Sequence, residues 1–567
     1  YIRDTSGKSV FFSPGDIVKI PGSSIRGMTR TLVEIVSWGK FRFFEDRKRL
    51  YYRGLADVGS LRRNYNDKIT NAKAGYLNYD LNRKSYYIQP AKEKNGETYS
   101  QIKDNREFKI EQQSDGTYIL CTGKMQGKEK NWLINQPDKD AQIVSLSNKD
   151  IDDYKKDSNR NIKWDLLNMA KDKKRYPDEV PCFYTEYSAV KGERRVAFGH
   201  TRYFRLPYEL TIGEHVPGNL QQEDTVDLPE ALFGRESKWA TRVFFEDAEI
   251  KSEQDDIPEE TSPKILSSPK PTTFQHYLIQ PDGVSRDNRK HWNDRDAAIR
   301  GYKLYWHRNT DQNSQYDWKT SEIDVNENDF KKFLKFKKGA NLNELIHDLN
   351  FVTVGNDRIK IRSSFYNIPN CEFKNFLREY LLASENLKEK AGIKGAQYTL
   401  IQAIKPEVRF KGKIRFENLS DIELGALLFV LNLQGNCFHK LGMAKPLGLG
   451  SVEIKPDLWI INRKKRYESL FNNNERWNIE EKETDTRQFS SAFEKFVLNH
   501  IPDVDKDNAV NLWDTPRLKT LKTMLDWGKT QKENRLERTR YKEIKHPENG
   551  NEFRNRPVLP EPEKIIE

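Results

Sequence analysis

The sequence is short of the residues that build disulfide frameworks and metal centres. Its 567 residues include only 4 cysteines and 9 histidines. No two cysteines form a CxxC pair, and the histidines form no HExxH or HxH arrangement. We therefore expect neither a disulfide framework nor a tight zinc site, and this use of cysteine is typical of a cytoplasmic protein.

Long apolar runs and nucleotide-binding motifs are also missing. No stretch approaches the roughly 18 consecutive apolar residues of a membrane span, which excludes an integral membrane protein. The GxGxxG pattern of dinucleotide-binding proteins is absent, and residues 528–530 lack the earlier glycine of a GxxxxGK[ST] phosphate loop. We expect no membrane partner and no nucleotide cofactor.

Basic residues, in contrast, are in excess. Lysine and arginine number 97 against 85 aspartate and glutamate, which gives a formal net charge of +12, and aromatic residues make up 11% of the chain. The aromatic content argues against global disorder. The charge suits a polyanion such as nucleic acid, because neutralising phosphates drives that binding. A solvated basic surface on a large protein is the alternative interpretation.

The first candidate motif occupies residues 21–27 and reads Pro-Gly-Ser-Ser-Ile-Arg-Gly. Residues 10–20 before it are typical of a strand, and the apolar residues after it recur at helical spacing. Glycine lets backbone amides approach a phosphate, and a helix N-terminus favours an anion. We expect Ser23 or Ser24 to cap the helix, with added charge from Arg26 and Arg30. An ordinary strand-to-helix turn would give the same pattern.

The second candidate motif is a glycine-rich loop at residues 440–451. It follows an apolar helix that a Ser420–Glu423 capping box is predicted to open. Glycines flanked by basic residues suit a backbone-lined groove for a sugar-phosphate chain. The candidate RNA-binding residues here are His439, Lys440, Lys445, Gly448, Gly450 and Ser451.

In this order the motifs resemble the RAMP superfamily of CRISPR proteins. Residues 20–27 are similar to the family's IPGSS(I/L)(R/K)G signature, residues 232–248 to its central FG…R(V/L)xFxDA stretch, and residues 445–452 to its C-terminal glycine-rich loop. Members bind guide RNA on a ferredoxin-like, RRM-type fold. The resemblance therefore implies an α+β protein that binds guide RNA, with Arg242 among the RNA-binding residues.

The first and last motifs lie far apart, so we interpret the chain as one RAMP fold with long insertions and a helical C-terminal extension. Two tandem RAMP folds are the alternative, although no second PGSS sequence occurs. The predicted parts are 1–45 (start of the core), 46–180 (insertion), 181–274 (core with a thumb-like hairpin), 275–395 (second insertion), 396–456 (end of the core) and 457–567 (extension and tail).

The first insertion is rich in polar residues. We expect residues 46–180 to be poorly suited to a large core of their own and to be ordered through contacts with a neighbouring subunit or RNA. The sequence segments at residues 301–307 and 555–560 are similar to those of a large-insertion branch of the family that is associated with type III-D-like systems.

The family's backbone subunits carry a protruding hairpin after the central stretch, which displaces bases at regular intervals. The resemblance places Phe274 and Tyr277 near this hairpin, where their rings could stack on bases. A strand that packs both aromatic rings into the core is the alternative interpretation.

Catalysis is implied by the resemblance alone. In active type III backbone subunits, an aspartate in the loop after the first strand cleaves target RNA with a divalent metal. The matching loop here contains Asp4, and Asp16 is a weaker candidate in the same loop. If the subunit is catalytic, its cofactor is Mg²⁺ or Mn²⁺ held by Asp4; otherwise it has none.

Three functions remain open from the sequence. The leading hypothesis is a guide-RNA-binding backbone subunit of a type III CRISPR ribonucleoprotein that recognises target RNA beside other RAMP subunits and contributes one cleavage site. The second is a structural RNA-binding subunit without catalysis. The third is a metal-independent endoribonuclease that processes precursor guide RNA by histidine acid–base chemistry, with His439 as its actor.

Overall fold

A computed structural model describes most of the chain. The described residues are 11–42, 44–56, 59–103, 107–122, 130–157, 160, 162–176, 179–189, 192–221, 224–251, 273–308, 351–354, 357–360, 403–468, 480–483, 485–542 and 549–567. Within these ranges no helix is long and apolar enough to cross a membrane.

The described helices and strands are numbered in chain order. The helices are α1 Gly22–Val36, α2 Gly59–Ile69, α3 Asn148–Lys156, α4 Leu166–Lys171, α5 Leu228–Phe233, α6 Asp421–Leu431, α7 Arg463–Glu468, α8 Arg487–His500, α9 Asp503–Lys506, α10 Pro516–Leu525, α11 Trp527–Thr530, α12 Glu533–Thr539 and α13 Pro562–Ile566. The strands are β1 Lys19–Ile20, β2 Tyr51–Tyr52, β3 Lys73–Asp80, β4 Ser85–Pro90, β5 Tyr99–Lys103, β6 Lys109–Gln112, β7 Tyr118–Cys121, β8 Lys130–Ile134, β9 Val144–Ser145, β10 Val180–Ser188, β11 Arg194–Gly199, β12 Leu206–Pro207, β13 Val243–Phe245, β14 Ala248–Ile250, β15 Phe351–Val354, β16 Asp357–Lys360, β17 Phe410–Lys411, β18 Ile414–Phe416, β19 His439–Lys440, β20 Ser451–Val452, β21 Leu458–Ile461 and β22 Glu480–Glu483.

A small antiparallel sheet brings together segments that are distant in sequence. Strand β14 lies between β1 and β17, and β13 pairs with β18. A hydrogen bond from the Glu246 amide to the Lys413 carbonyl (3.0 Å) joins the two ladders. Residues 243–250 therefore form one central strand, and residues 410–416 form an edge strand beside it. We call these paired segments the core sheet.

Helix α1 packs against β13 of the core sheet and against α6, and α6 packs against α8. Helix α6 is buried from Leu424 to Leu431, as expected for a helix that is apolar on every side. Ser420 and Glu423 form the predicted capping box at its start, so that prediction is confirmed. Side chains of α1, α6, α8 and α10 share one large hydrophobic cluster with α5 and β13.

A second unit is built from residues 51–208. Strands β11, β10, β3, β4 and β9 form a five-stranded antiparallel sheet in that order, and β5, β8, β7 and β6 form a four-stranded one. Tyr76, Leu77, Ile88 and Phe183 are fully buried here. Residues 46–180 therefore contribute to a large core, which they share with strands β10 and β11. Their ordering through a neighbouring subunit or RNA stays a prediction.

The second unit can bury a core because inward and outward residues alternate along its short strands. Their polar residues occupy outward positions, whereas tyrosines and aliphatic residues alternate inward and bury large side chains. Strand β10 completes this core because it pairs with β3 from Val180↔Leu77 to Tyr184↔Lys73. The predicted boundary at residues 180–181 coincides with the start of this strand.

The C-terminal extension is mainly helical, but it contains a strand pair that the sequence did not predict, β21 with β22. The C-terminal tail returns to residues 289 and 300. Arg289 donates to the Asn555 carbonyl (3.1 Å), and Arg300 donates to the Pro560 carbonyl (2.9 Å). The mixture of helices and antiparallel sheets confirms an α+β protein. The ferredoxin-like strand order and the six-part division stay predictions.

Gly425 offers a test of the packing between α6 and α8. A Cβ atom at Gly425 would lie 2.0 Å from the Phe489 carbonyl oxygen, whereas a Cβ atom at Gly27 in α1 would meet nothing within 4 Å. Gly425→Ala should lower the free energy of unfolding by about 1 kcal/mol or more, because overpacking outweighs the gain in helix propensity. Gly27→Ala should raise it by about 0.5–1 kcal/mol. Urea unfolding of both variants checks this, and a stabilised Gly425→Ala protein would contradict the close packing.

Candidate nucleic-acid interface

Helix α1 begins where its backbone touches the central strand. A Cβ atom at Gly22 would lie 2.2 Å from the Phe245 carbonyl oxygen, so only glycine fits. The Gly22 amide donates to Asp247 Oδ1 at 2.8 Å. A carboxylate at this position is favoured by the helix dipole and satisfies an amide that has no partner within the helix.

The predicted serine cap of α1 is wrong. The N-cap position is occupied by Pro21 without a side-chain hydrogen bond, and Asp247 accepts from the first helical residue instead. Ser23 and Ser24 therefore lie in the first turn, where Ser23 is exposed and Ser24 is half-buried. Their hydroxyls are not used to cap the helix, which leaves them in position for an external ligand.

The glycine-rich loop closes a short hairpin of β19 and β20. Lys440 Nζ donates to the carbonyls of Gly448 (2.6 Å) and Leu449 (3.0 Å), so this lysine holds the loop from inside. Gly450 has φ +80°, and a Cβ atom there would lie 1.9 Å from the Leu441 carbonyl oxygen. A side chain at Gly450 is therefore excluded by both backbone conformation and space.

The structure brings the two motifs together. A small hydrophobic cluster joins Ile20 of β1 and Ala248 of the central strand to Leu441 of the glycine-rich loop. Ile25 and Met28 of α1 and Val452 after the loop pack against the same cluster. The start of α1 and the glycine-rich loop are thus neighbours, although they come from opposite ends of the matched motifs.

Lys445 is the residue of this loop whose surroundings favour an anionic ligand. Its side chain is half-buried, and burial lowers the pKa of its ammonium group. Among the described residues it forms no ion pair. Burial of a charge is unfavourable without a counter-charge, so this position favours a negatively charged ligand.

Arg26 and Arg30 stabilise the fold through hydrogen bonds to the backbone. Arg26 Nη2 donates to the Phe233 carbonyl (2.5 Å), and Arg30 Nη1 donates to the Gly234 carbonyl (3.4 Å). Both guanidinium groups lie over the Phe233 ring, at 5.7 and 5.8 Å from its centroid. Burial, followed by the charge of Arg30, lowers the pKa of Arg26. The two arginines thus satisfy the C-terminal carbonyls of α5.

Arg242 has a similar structural position. Its guanidinium donates to the Ala231 carbonyl (Nε, 3.0 Å) and the Asn418 carbonyl (2.8 Å), and it forms a two-pronged ion pair with Glu423. These bonds tie α5 to the start of α6. A guanidinium with this many partners has little capacity left for a phosphate.

His439 is buried beneath the loop. Its side chain is 1% exposed, and Nε2 lies 2.7 Å from the Val430 carbonyl. Burial lowers its pKa. A general acid–base must come within hydrogen-bond reach of the reacting atoms, which disfavours His439 in RNA processing.

His307 belongs to the same buried network, a role that no sequence pattern indicated. Its Nδ1 lies 2.8 Å from Ser451 Oγ, and its Nε2 lies 2.9 Å from the Phe438 carbonyl. Burial, with the nearby charge of Lys440, lowers its pKa to about 3. The Ser451 hydroxyl therefore stabilises the loop through its hydrogen bond with His307. The two residues are 144 positions apart, so the pairing leaves no local signal in the sequence.

The other predicted RNA contacts lie apart from this pair of motifs. Phe274 is 5% exposed and packs in the core of the second unit with Tyr277 at its margin. The Arg556 guanidinium covers the Phe274 ring at 5.6 Å. This arrangement favours the packing interpretation for Phe274.

Of the two acidic candidates, Asp16 is among the described residues. Asp4 lies outside the described residues. Asp16 is exposed in a turn with φ +61°, and its amide donates to the Ser13 carbonyl. Across the described ranges, no group of three His, Cys, Asp or Glu side chains could hold a metal ion. Asp16 alone does not make a metal site.

Comparison with known proteins supports the sequence resemblance. A family model described as the RAMP superfamily matches residues 5–453, which covers more than half of the 567 residues. No curated protein matches the sequence. The matched range includes both candidate motifs and the central stretch.

Substitution of Arg242 tests whether this side chain has a structural or an RNA-binding role. Arg242→Ala should lower the free energy of unfolding by about 3 kcal/mol, because it leaves Glu423 and several carbonyls without their partner. It should leave the salt dependence of RNA binding unchanged. Arg487→Ala is the control, since Arg487 pairs with Asp485 at the surface with 87% of its side chain exposed, and should not move the unfolding midpoint. An Arg242 variant of normal stability with a flattened salt dependence would reverse this assignment.

Proposed function

The chain belongs to the RAMP superfamily, and we propose from this premise that it is a guide-RNA-binding backbone subunit of a type III CRISPR ribonucleoprotein. The observation that carries the proposal is the contact between the start of α1 and the glycine-rich loop. This contact makes one surface from the two motifs whose residues suit a sugar-phosphate chain.

The chemistry of that surface suits a phosphate backbone. Exposed Ser23 supplies a hydroxyl and a backbone amide at the N-terminus of α1, where the helix dipole favours an anion. Lys445 supplies a half-buried charge, and the positive φ of Gly448 and Gly450 gives the loop its shape. Asp247 accepts from the Gly22 amide, and the amides of Ser24 and Ile25 donate to the Pro21 carbonyl. Among the described residues, the Ser23 amide is therefore the one of this turn that is left for a ligand.

The proposed partners follow from the role in a complex. Guide RNA would lie along the α1 and glycine-rich-loop surface, target RNA would pair with the guide, and other RAMP subunits would flank this one in the cytoplasm. The large second unit, with its own core, is consistent with a type III-D-like subunit of the large-insertion branch. No membrane or nucleotide cofactor is part of the proposal.

Target cleavage is a further part of the proposal. A divalent ion held by Asp4 would stabilise charge on the scissile phosphate, with phosphate oxygens, water or a neighbouring subunit completing its coordination. A structural RNA-binding subunit without catalysis is the second candidate. Burial of His439 makes RNA processing by that histidine the weakest of the three.

Lys445 tests the guide-binding surface. Phosphate contacts position RNA without reading its sequence, so Lys445→Ala should weaken the binding of unrelated single-stranded RNAs to a similar extent. It should also flatten the plot of log K against log salt by about 0.7–1 unit. Fluorescence anisotropy at several salt concentrations measures both effects.

Lys495→Ala is the matched control, because Lys495 is exposed on α8 away from the loop. It should leave affinity and slope as they are. A Lys445→Ala protein with an unchanged slope would reject the proposed contact.

Asp4 and Asp16 test the cleavage role. In the assembled complex with guide RNA and Mg²⁺, Asp4→Ala should remove one target-RNA cleavage product and leave the other products and RNA binding intact, since a carboxylate ligand is removed. Asp16→Ala should cleave normally. Denaturing gels of labelled target RNA report the products. If every product survives in both variants, the subunit is a scaffold.

A further inference from the structure

The core sheet has a second face, turned away from the cluster that joins it to α1 and the glycine-rich loop. Inward-pointing Ala248, Phe410 and Ile20 bury one face. Between the pairs Phe245↔Ile414 and Glu249↔Lys411 the central strand has three residues and the edge strand two, so one extra residue reverses the alternation there. On either side of it side chains alternate, and the neighbours of the inward residues point the other way. We call this opposite side the outer sheet face, and its residues are Lys19, Phe244, Glu246, Glu249, Arg409, Lys411, Lys413 and Arg415.

Positive charge is concentrated on the edge strand of this face. Residues 409–416 alternate basic and non-basic, and the basic side chains at 409, 411, 413 and 415 are all exposed. A strand rises about 3.3 Å per residue, so successive basic side chains are spaced by about 6.6 Å. The result is a straight row of four cations along the edge of the sheet.

Two carboxylates of the central strand lie on the outer sheet face beside the basic row, Glu249 opposite Lys411 and Glu246 next to Lys413. Lys19 pairs with Glu249 at 2.8 Å, and Arg415 pairs with Glu246 at 2.9 Å. Arg409, Lys411 and Lys413 form no ion pair with any residue that the structure describes. The five basic and two acidic side chains of the face leave it with an excess of positive charge, which favours a polyanion.

An aromatic ring lies beside this row. Phe244 is 38% exposed, and its strand neighbour across the sheet is Arg415. Its neighbours Val243 and Phe245 point inward to the hydrophobic cluster, so the outward position of Phe244 is fixed by the strand. An exposed ring next to a row of cations has the two elements that bind a single-stranded nucleic acid, a stacking platform and an electrostatic track.

Two simpler roles match only part of the chemistry of this face. Lysines on an edge strand also prevent pairing with another sheet, but that role does not call for an exposed phenylalanine. A duplex would satisfy the cations, yet its bases are stacked inside and could not reach Phe244. Single-stranded RNA uses both the charges and the ring.

We propose that the outer sheet face is a second nucleic-acid site, which holds single-stranded RNA with Phe244 stacked on a base and Arg409, Lys411 and Lys413 on adjacent phosphates. The site lies across the sheet from the α1 and glycine-rich-loop surface. It therefore does not depend on the proposed guide-binding role. The ring gives the site a preference for unpaired RNA and also adds affinity.

The charge row is tested in the full-length protein with a fluorescein-labelled 12-nucleotide oligouridylate. The double variant Lys411→Ala, Lys413→Ala should weaken binding at least 5-fold and flatten the plot of log K against log salt by about 1.4 units, about 0.7 for each phosphate that is no longer neutralised. The double variant Lys155→Ala, Lys156→Ala changes the charge equally on α3 of the second unit and should match the unaltered protein. Unchanged affinity and slope in the Lys411, Lys413 variant would overturn the proposal.

Phe244 is tested by three substitutions. Phe244→Leu and Phe244→Ala should weaken binding about 5-fold or more with the salt slope unchanged, and Phe244→Tyr should retain affinity because it keeps the π face. None of the three should alter binding of a 12-base-pair RNA duplex. Equal affinity of Phe244→Leu and Phe244→Tyr would reject stacking and with it the proposed site.

Repeating the series in a Lys445→Ala background separates the two surfaces. If the outer sheet face is a distinct site, the Phe244 and lysine effects persist there with the same fold-change. If they vanish in that background, both sets of residues act on one RNA path and a separate second site is ruled out. Thermal melting of each variant confirms that its fold is retained.

Discussion

The close approach of α1 to the central strand is the constraint on which the candidate interface depends. Gly22 sits against the Phe245 carbonyl, and its amide is held by Asp247 of the same strand. This fixes the direction of α1 and places Ile25 and Met28 against the glycine-rich loop. Any larger residue at position 22 would push the helix away and separate the two motifs, so a backbone contact determines the geometry of the whole surface.

The basic residues of the chain divide into two populations with different physical roles. Arg26, Arg30 and Arg242 direct their hydrogen bonds to carbonyls and to Glu34 or Glu423, and they stabilise the ends of helices. The exposed cations at 409, 411 and 413 form no ion pairs within the described ranges. The net charge of the chain alone therefore does not show how many of its cations are available to RNA. The position of each guanidinium and ammonium group in the fold decides this.

Local features of this structure could be predicted from the sequence, and distant ones could not. The Ser420–Glu423 capping box was predicted because both residues and the helix lie within one short stretch. The cap of α1 was missed because Asp247 is 225 residues from Gly22. The candidate surface was predicted only through the family resemblance, since spacing alone does not bring residues 20 and 441 together. The extent of the second unit's core was missed because it depends on the pairing of residues 73–77 with residues 180–184, which no local pattern indicates.

The order of segments in the chain has a consequence for how the protein is made. All strands of the five-stranded sheet lie between residues 73 and 199, so the second unit can form while later segments are still being synthesised. The core sheet needs residues 410–416, and the glycine-rich hairpin needs Val452. Contacts between segments this far apart form slowly. The apolar side of α1 therefore stays uncovered until most of the chain has emerged, and the ribosome-bound intermediate carries an already folded second unit beside an unfinished RNA surface.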